Sequence, residues 1–111
     1  PTEPTEIMRR EYAARRELIS EMLAGAEGIS WSPPSGAFYA FIKYDAPIPS
    51  RHMAKILLER GVAVRSGTEY GPSGQGHVRV AFATDRASLM QGMRIVRQTL
   101  EEAVAGTLVV E

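Results

Sequence analysis

Apolar residues in the first part of the chain recur at helical spacing. They form one stripe of six residues, Met8, Tyr12, Leu18, Ile19, Met22 and Leu23. Arginines and glutamates fill the other side and offset each other, so we interpret them as a solvated face and not as a binding patch. Pro4 suits a first helical turn, and Gly25 and Gly28 mark the end. The pattern predicts a long amphipathic helix.

A segment with two apolar faces follows. Pro33 and Pro34 interrupt regular structure after a short stretch at 29–31 that can be extended. Residues 37–43 are rich in aromatic and β-branched side chains and predict a strand. Its two faces carry Phe38, Ala40 and Ile42 on one side and Ala37, Tyr39 and Phe41 on the other. A strand with two apolar faces needs cover on both sides.

The middle of the chain predicts a short helix and a short strand. The helix has a buried stripe of three residues, Met53, Ile56 and Leu57. Ser50 is the predicted N-cap, and Gly61 lies where a C-terminal glycine belongs. Residues 62–65 are predicted to form a strand. The following loop, 66–76, contains four glycines.

The last third of the chain predicts a strand and a long helix. Residues 77–83 alternate, with Val78, Val80 and Phe82 facing one way and His77, Arg79 and Ala81 the other. Thr84 or Asp85 is expected to cap the helix, and Gly106 to end it. The helical stripe consists of Leu89, Met93, Val96, Leu100 and Ala103.

These elements predict the fold class. A strand, helix and strand favour a parallel crossover, and the third long strand can lie between the first two, antiparallel to both. We therefore expect a single α+β domain over residues 1–111. Its sheet should be small, three- to four-stranded, mostly antiparallel and split βαβ-like, with helices packed mainly on one face. The sheet face that carries Tyr39 and Arg79 is then left open, and something should cover it in an intact domain.

Composition excludes several classes of function. The 13 basic and 13 acidic side chains give zero net charge, which recommends neither nucleic acid nor an acidic membrane as a partner. No apolar run approaches the ~20 residues of a membrane span. There is no cysteine, and the default compartment is the cytoplasm. His52 and His77 have no companions at metal-ligand spacing, so we expect no metal site. The glycine loop lacks the Gly-Lys-Ser/Thr ending of a nucleotide loop and leads into a strand, which favours turn geometry over phosphate binding.

Arg79 is the candidate for chemistry. It lies in the middle of a predicted strand between two valines, where a long cation is costly unless it is paired. One interpretation is a cross-strand ion pair or a surface arginine. The other is a planar fork that holds a carboxylate through two parallel hydrogen bonds. Local sequence leaves both open.

Three segments occur in an order and at separations that match a known family. Residues 34–41 (PSGAFYAF) are similar to a segment that opens a C-terminal domain sheet. Residues 61–67 (GVAVRSG), the glycines of loop 70–76 and residues 78–83 (VRVAFA) are similar to a closing signature. The helix around residues 8–16 is similar to one that leads out of a large domain. Together they resemble the aspartate-aminotransferase-like family, the class I and II aminotransferases of fold type I.

The resemblance implies roles for particular residues. Arg79 would bind the α-carboxylate of the substrate, and Phe38 and Tyr39 would lie near the rim of the active site, without a choice between them. Two departures affect the loop, because Tyr70 stands where the family usually has phenylalanine and Ser66 where many members have proline.

The resemblance also implies a larger enzyme. The chain would be its C-terminal small domain, with residues 1–28 as the long helix leading from the large domain, and its start at Pro1 without a methionine agrees with this. The family holds pyridoxal phosphate as a Schiff base on a lysine of the large domain. The only lysines here, Lys43 and Lys55, have a different context. We therefore expect no catalytic residue and no cofactor-binding residue in this chain, which alone should be inactive.

The expected activity of the full-length protein is amino-group transfer between an amino acid and a 2-oxo acid, as part of amino acid metabolism. Its partners would be these substrates, its own large domain and a second copy in a homodimer. The alternative is a free-standing α+β module that binds a small ligand or a partner through the open face. Decarboxylases, lyases and synthases of the same fold are closer competitors, and the sequence does not indicate which amino acid is the substrate.

Overall fold

A computed structural model describes residues 4–32, 39–82 and 84–109. Within these ranges the chain forms three α-helices, four strands and two short 3₁₀ turns. In chain order they are α1 (Pro4–Leu23), β1 (Ile29–Ser32), β2 (Tyr39–Tyr44), α2 (Ser50–Glu59), β3 (Arg65–Ser66), the turns Gly67–Tyr70 and Pro72–Gly74, β4 (His77–Ala81) and α3 (Arg86–Ala105).

The four strands form one sheet in the order β1-β2-β4-β3. Every neighbouring pair is antiparallel. The last strand thus lies between β2 and β3, and these two are parallel to each other. This confirms the predicted α+β fold with its inserted third long strand, and the 29–31 stretch adds the fourth strand at one edge.

One face of the sheet is covered by the helices. Because strand residues alternate between faces, Ala40 and Ile42 of β2 and Val78 and Val80 of β4 all point to this side and are buried. They pack with the buried stripes of the helices into one core. From the helices the core receives Leu18, Ile19, Leu23, Met53, Leu57, Leu89, Met93, Val96, Leu100 and Ala103.

Helix α1 is buried mainly in its second half. Tyr12 packs against Phe82 with ring centroids 5.3 Å apart, and Arg15 donates from Nε to the Thr84 carbonyl at 2.7 Å. Met8, the first residue of the apolar stripe, is 57% exposed. The first turns of the helix extend beyond its contact with the core.

The segment after α2 departs from the prediction. Residues 62–65 were expected to form a strand, yet only Arg65 and Ser66 pair with β4. The reason lies in the helix end: the Val62 amide donates to the Leu57 carbonyl at 2.8 Å, and Gly61 has φ of 98°. This closure of the helix uses the amide that a strand would need.

The other boundaries are close to the expected ones. Strand β2 continues to Tyr44, and the expected strand residues Ala37 and Phe38 lie outside the described residues. Strand β4 ends at Ala81. Asp85 is the N-cap of α3 and accepts a hydrogen bond from the Ser88 amide at 3.0 Å, which selects it over Thr84.

A polar contact joins the ends of α2 and α3. Arg60 donates from Nη1 and Nη2 to the two carboxylate oxygens of Glu102, at 2.9 and 3.2 Å. It also donates to the buried Thr99 hydroxyl at 2.9 Å. The hydrogen bond from Arg60 lowers the pKa of Glu102. The fork of this arginine is therefore committed within the domain.

Candidate functional site

The uncovered face of the sheet presents Arg79. On β4 it alternates with the buried Val78 and Val80, so its side chain lies on the side away from the helices. Phe41 of β2 is its partner across one strand pair and Arg65 of β3 across the other. The predicted placement of Arg79 on the open face is thus confirmed. Its chemical role is a separate matter.

Two tyrosine rings hold the Arg79 guanidinium. Its central carbon lies 4.0 Å from the ring centroid of Tyr39 and 4.5 Å from that of Tyr70. Tyr70 is steadied by an edge-to-face contact with Phe41, whose ring centroid is 5.6 Å away. Stacking on an aromatic face uses the plane of the guanidinium and leaves its N–H edge available for hydrogen bonds.

Arg79 has no carboxylate partner in the part of the chain that the structure describes. The nearby Glu69 forms its ion pair with Arg65 instead, at 3.2 Å. Lys43 also belongs to this face, since it alternates with the buried Ile42. The charges around Arg79 are therefore mainly positive, which favours an anionic ligand.

An apolar groove adjoins Arg79. Its volume is about 480 Å³, and Arg79, Ala81, Leu58 and Val64 are among the residues that line it. A second groove of about 350 Å³ lies between residues 60–63 and α3. The arginine on its wall is already bound to Glu102. Of these two grooves, the first is the one that offers an uncommitted cation to a ligand.

The loop that carries Tyr70 is closed by two glycines. A Cβ added to Gly67 would lie 2.2 Å from the Gly74 carbonyl oxygen, and one added to Gly74 would lie 1.9 Å from that of Gly67. No side chain fits at such distances, so both positions require glycine for close backbone approach. The Ser66 hydroxyl accepts from the Thr68 amide at 3.3 Å and caps the first turn.

Ser50 has a different role from the one predicted. The N-cap position of α2 is Pro49, and Ser50 is the first helical residue. Its hydroxyl accepts hydrogen bonds from the amides of Gly76 and His77, at 2.7 and 3.1 Å. The capping prediction was wrong. The Ser50 hydroxyl accepts from the amides of Gly76 and His77 and makes no capping hydrogen bond to its own helix.

The remaining predicted residues fall into two groups. Phe38, the other candidate for the active-site rim, lies outside the described residues. Lys43 and Lys55 are both solvent-exposed.

Across residues 4–32, 39–82 and 84–109, no cluster of three or more His, Cys, Asp or Glu side chains is arranged to hold a metal ion. Nor does any helix within these ranges have the length and apolar character to cross a membrane.

Comparison with known proteins decides the family. Residues 3–95 match the family model of aminotransferase class I and II. The chain belongs to this family. It is 35% identical over 98 residues to an aspartate aminotransferase of Pyrococcus horikoshii, a match that covers 86% of this chain and 25% of that protein. It is 36% identical over 99 residues to an aspartate/prephenate aminotransferase of Thermus thermophilus, covering 88% of this chain and 25% of the relative.

The fold also matches a solved structure of the family. A probable N-succinyldiaminopimelate aminotransferase from Thermus thermophilus superimposes with a TM-score of 0.77 and 28% identity. The match covers 88% of this chain and 26% of that one. The chain thus spans about a quarter of the length of the aminotransferases it matches.

Sequence reasoning missed two residues of the site. Arg65 is considered in the sequence only as part of a predicted strand and of the family-like segment 61–67, although its register opposite Arg79 gives the face a second guanidinium. Tyr70 was noted as a departure from the family pattern, without a contact to Arg79. The sequence offered one signal for this contact: Tyr70 is an aromatic residue in a glycine-rich loop next to the strand that carries Arg79.

Proposed function

We propose that the full-length protein is a pyridoxal-phosphate-dependent aminotransferase that moves an amino group between an amino acid and a 2-oxo acid. In this proposal the present chain is its C-terminal small domain, and Arg79 binds the substrate α-carboxylate. Membership of the aminotransferase family supports the reaction class. The observation that carries the role of Arg79 is its position on the open sheet face, against two tyrosine rings and without a carboxylate partner among the described residues.

The geometry suits a carboxylate. A guanidinium presents N–H groups in a plane, and a carboxylate accepts two of them in parallel. Contacts with Tyr39 and Tyr70 restrict the swing of the Arg79 side chain, so less freedom is lost when a ligand binds. A substrate fixed by its carboxylate would have its Cα–H bond held in one orientation, which lowers the entropic part of the barrier. Tyr39 is 37% exposed and is our choice for the rim of the site.

The described residues of this chain do not fit as an anchor for pyridoxal phosphate. A Schiff-base lysine needs a sheltered amine, and both Lys43 and Lys55 lie in the solvent. The cofactor, which supplies an electron sink when it is bound, is therefore assigned to the rest of the protein. The large domain would cover the open face of this sheet, and the full-length protein would work as a homodimer in the cytoplasm.

The test compares an amino-acid substrate with the amine that lacks its carboxylate, using full-length wild type and Arg79→Ala. The wild type should strongly prefer the amino acid, and the variant should lose most of this preference, because only the carboxylate contact is removed. Arg60→Ala, whose guanidinium binds Glu102 and Thr99 away from this face, is the matched control and should keep it. An unchanged preference in Arg79→Ala would contradict the carboxylate role. An upstream coding sequence without a large α/β domain and its cofactor lysine would favour the free-standing binding module.

A further inference from the structure

Ser50 lies at the centre of a buried hydrogen-bond cluster that joins α2 to the glycine loop. The side chain has no solvent exposure. Besides the amides of Gly76 and His77, its Oγ has two longer contacts, at 3.4 Å each, with the Gly74 carbonyl and the Tyr44 hydroxyl. Tyr44 in turn donates to the Ile48 carbonyl at 2.6 Å. Burial raises the pKa of the Tyr44 phenol, so it stays a neutral donor.

The join is reciprocal. The Ser50 backbone amide donates to Oε1 of Gln75 at 2.6 Å. This amide belongs to the first turn of α2 and has no partner within the helix. Ser50 thus donates to Gln75 through its backbone amide and accepts from the amides of Gly76 and His77 through its hydroxyl.

The cluster is connected to Arg79 through the loop itself. Residues 74–76 form the end of the loop, and His77 is the first residue of β4, the strand that carries Arg79. Gly74 packs against Gly67 so closely that neither position has room for a side chain, which brings the two sides of the loop into backbone contact. Between these glycines lies Tyr70, whose ring contacts the guanidinium.

We infer that Ser50 is a positioning residue for the anion site: it fixes loop 67–77 and thereby holds the Tyr70 ring against Arg79. This inference rests on the proposed role of Arg79 in carboxylate binding. The hydroxyl is not a nucleophile in this arrangement, because it is fully buried and its contacts are backbone groups and a phenol. Its function is to keep the loop in one conformation before a ligand arrives, which limits the ordering cost of binding.

The first experiment measures hydrogen exchange in full-length Ser50→Ala. Two partly buried amides, those of Gly76 and His77, lose their acceptor in this variant, so exchange at residues 67–77 should become about tenfold faster or more. Thr99→Val is the matched control. Thr99 is equally buried and its hydroxyl also accepts one hydrogen bond, but on α3, away from the loop. It should leave exchange at 67–77 unchanged. Equal exchange in Ser50→Ala and Thr99→Val would overturn the inference.

The second experiment measures the affinity of the same variants for a 2-oxo acid. Ser50→Ala should weaken binding by up to about fivefold, no more than loss of the Tyr70 ring itself, because it acts through the aromatic contact on Arg79. Thr99→Val should not weaken it. In a Tyr70→Ala background the effect of Ser50→Ala should largely disappear, because both changes remove the same contact. Full additivity of the two changes would show that Ser50 does not act through Tyr70.

A milder pair of variants serves if Ser50→Ala does not fold. Gln75→Ala removes only the side chain that accepts from the Ser50 amide, and Gln75 is exposed. It should weaken binding in the same direction, and Gln75→Glu should restore it, since a carboxylate also accepts this hydrogen bond and is favoured at a helix N-terminus. Normal binding and exchange in Gln75→Ala would overturn the inference. Failure of Arg79→Ala to weaken binding would instead contradict the proposed function, so the two failures are distinguishable.

Discussion

Two arginines of this domain lie in opposite surroundings. Arg60, at the end of α2, gives its fork to Glu102 and Thr99. Arg79, on the open sheet face, has its guanidinium carbon over the rings of Tyr39 and Tyr70 and no carboxylate partner among the described residues. The first arginine ties two helices together through its carboxylate pair and its bond to Thr99. The guanidinium of Arg79 contacts two tyrosine rings while its N–H groups stay available for hydrogen bonds, which is what a ligand-binding cation requires.

The largest effect should come from removing the guanidinium of Arg79. If the proposed function holds, Arg79→Ala in the full-length protein should lower kcat/KM for an amino acid by about 30- to 1000-fold, since a charge-assisted pair of roughly 2–4 kcal/mol is lost. Arg79→Lys should recover only part of this, because a point charge cannot bind bidentately. Steady-state kinetics measures the effect, and circular dichroism should show an unchanged fold. Near-normal kcat/KM in Arg79→Ala would erase the contrast between the two arginines.

Replacing Arg60 should lower the stability of the protein without affecting its activity. Arg60→Ala breaks the contact with Glu102 and leaves the buried Thr99 hydroxyl without its donor. The free energy of unfolding should fall by about 1–2 kcal/mol, with most of the loss at Thr99, because the ion pair is about a third exposed. Urea denaturation measures it. Reduced substrate affinity in a folded Arg60→Ala variant would argue against the division of roles.

A smaller effect is expected from the ring that supports Arg79. Tyr70→Leu removes the aromatic face and should weaken carboxylate binding by about two- to fivefold, from a contact of roughly 0.5–1 kcal/mol. Tyr70→Phe keeps the face and should bind normally. Titration with a 2-oxo acid measures both. Equal losses in the two variants would assign the effect to the hydroxyl and not to stacking.

The smallest effect is a pH dependence of stability at the Arg60–Glu102 pair. The pKa of Glu102 in the folded state lies below its ordinary value of 4.5 because of Arg60. The contribution is therefore present above that value and is lost as the pH falls through the folded pKa. Denaturation between about pH 6 and pH 3 should show a shallower decline in Arg60→Ala than in wild type. The hydrogen bond from Ser88 lowers the pKa of Asp85, so the contribution of Asp85 to stability falls as the pH falls in both proteins.

The parts of the fold that depend on periodicity were predictable from sequence. Alternation in residues 77–83 placed Val78 and Val80 in the core and Arg79 on the other face, and the helical stripes placed the core of α3. Predictions failed where a tertiary contact competes with a local preference. Val62 closes α2 instead of joining the sheet, and Ser50 binds loop amides instead of capping its helix.

The site was predictable to a lesser degree. The resemblance to a family selected Arg79, and strand alternation gave its direction. The ring contact from Tyr70 depends on how a loop folds back between Gly67 and Gly74, and no spacing rule encodes that path. The free state of Arg79 also depends on which arginine captures Glu69, a choice set by the short β3 strand and its register.

The place of β4 between β2 and β3 has a consequence for folding kinetics. The strand is late in sequence, yet its two neighbours come earlier and must be brought together around it. Such non-local pairings have a high contact order and form slowly. The candidate carboxylate-binding arginine is therefore placed only when the whole sheet closes, so a partly folded chain should have no anion site to offer.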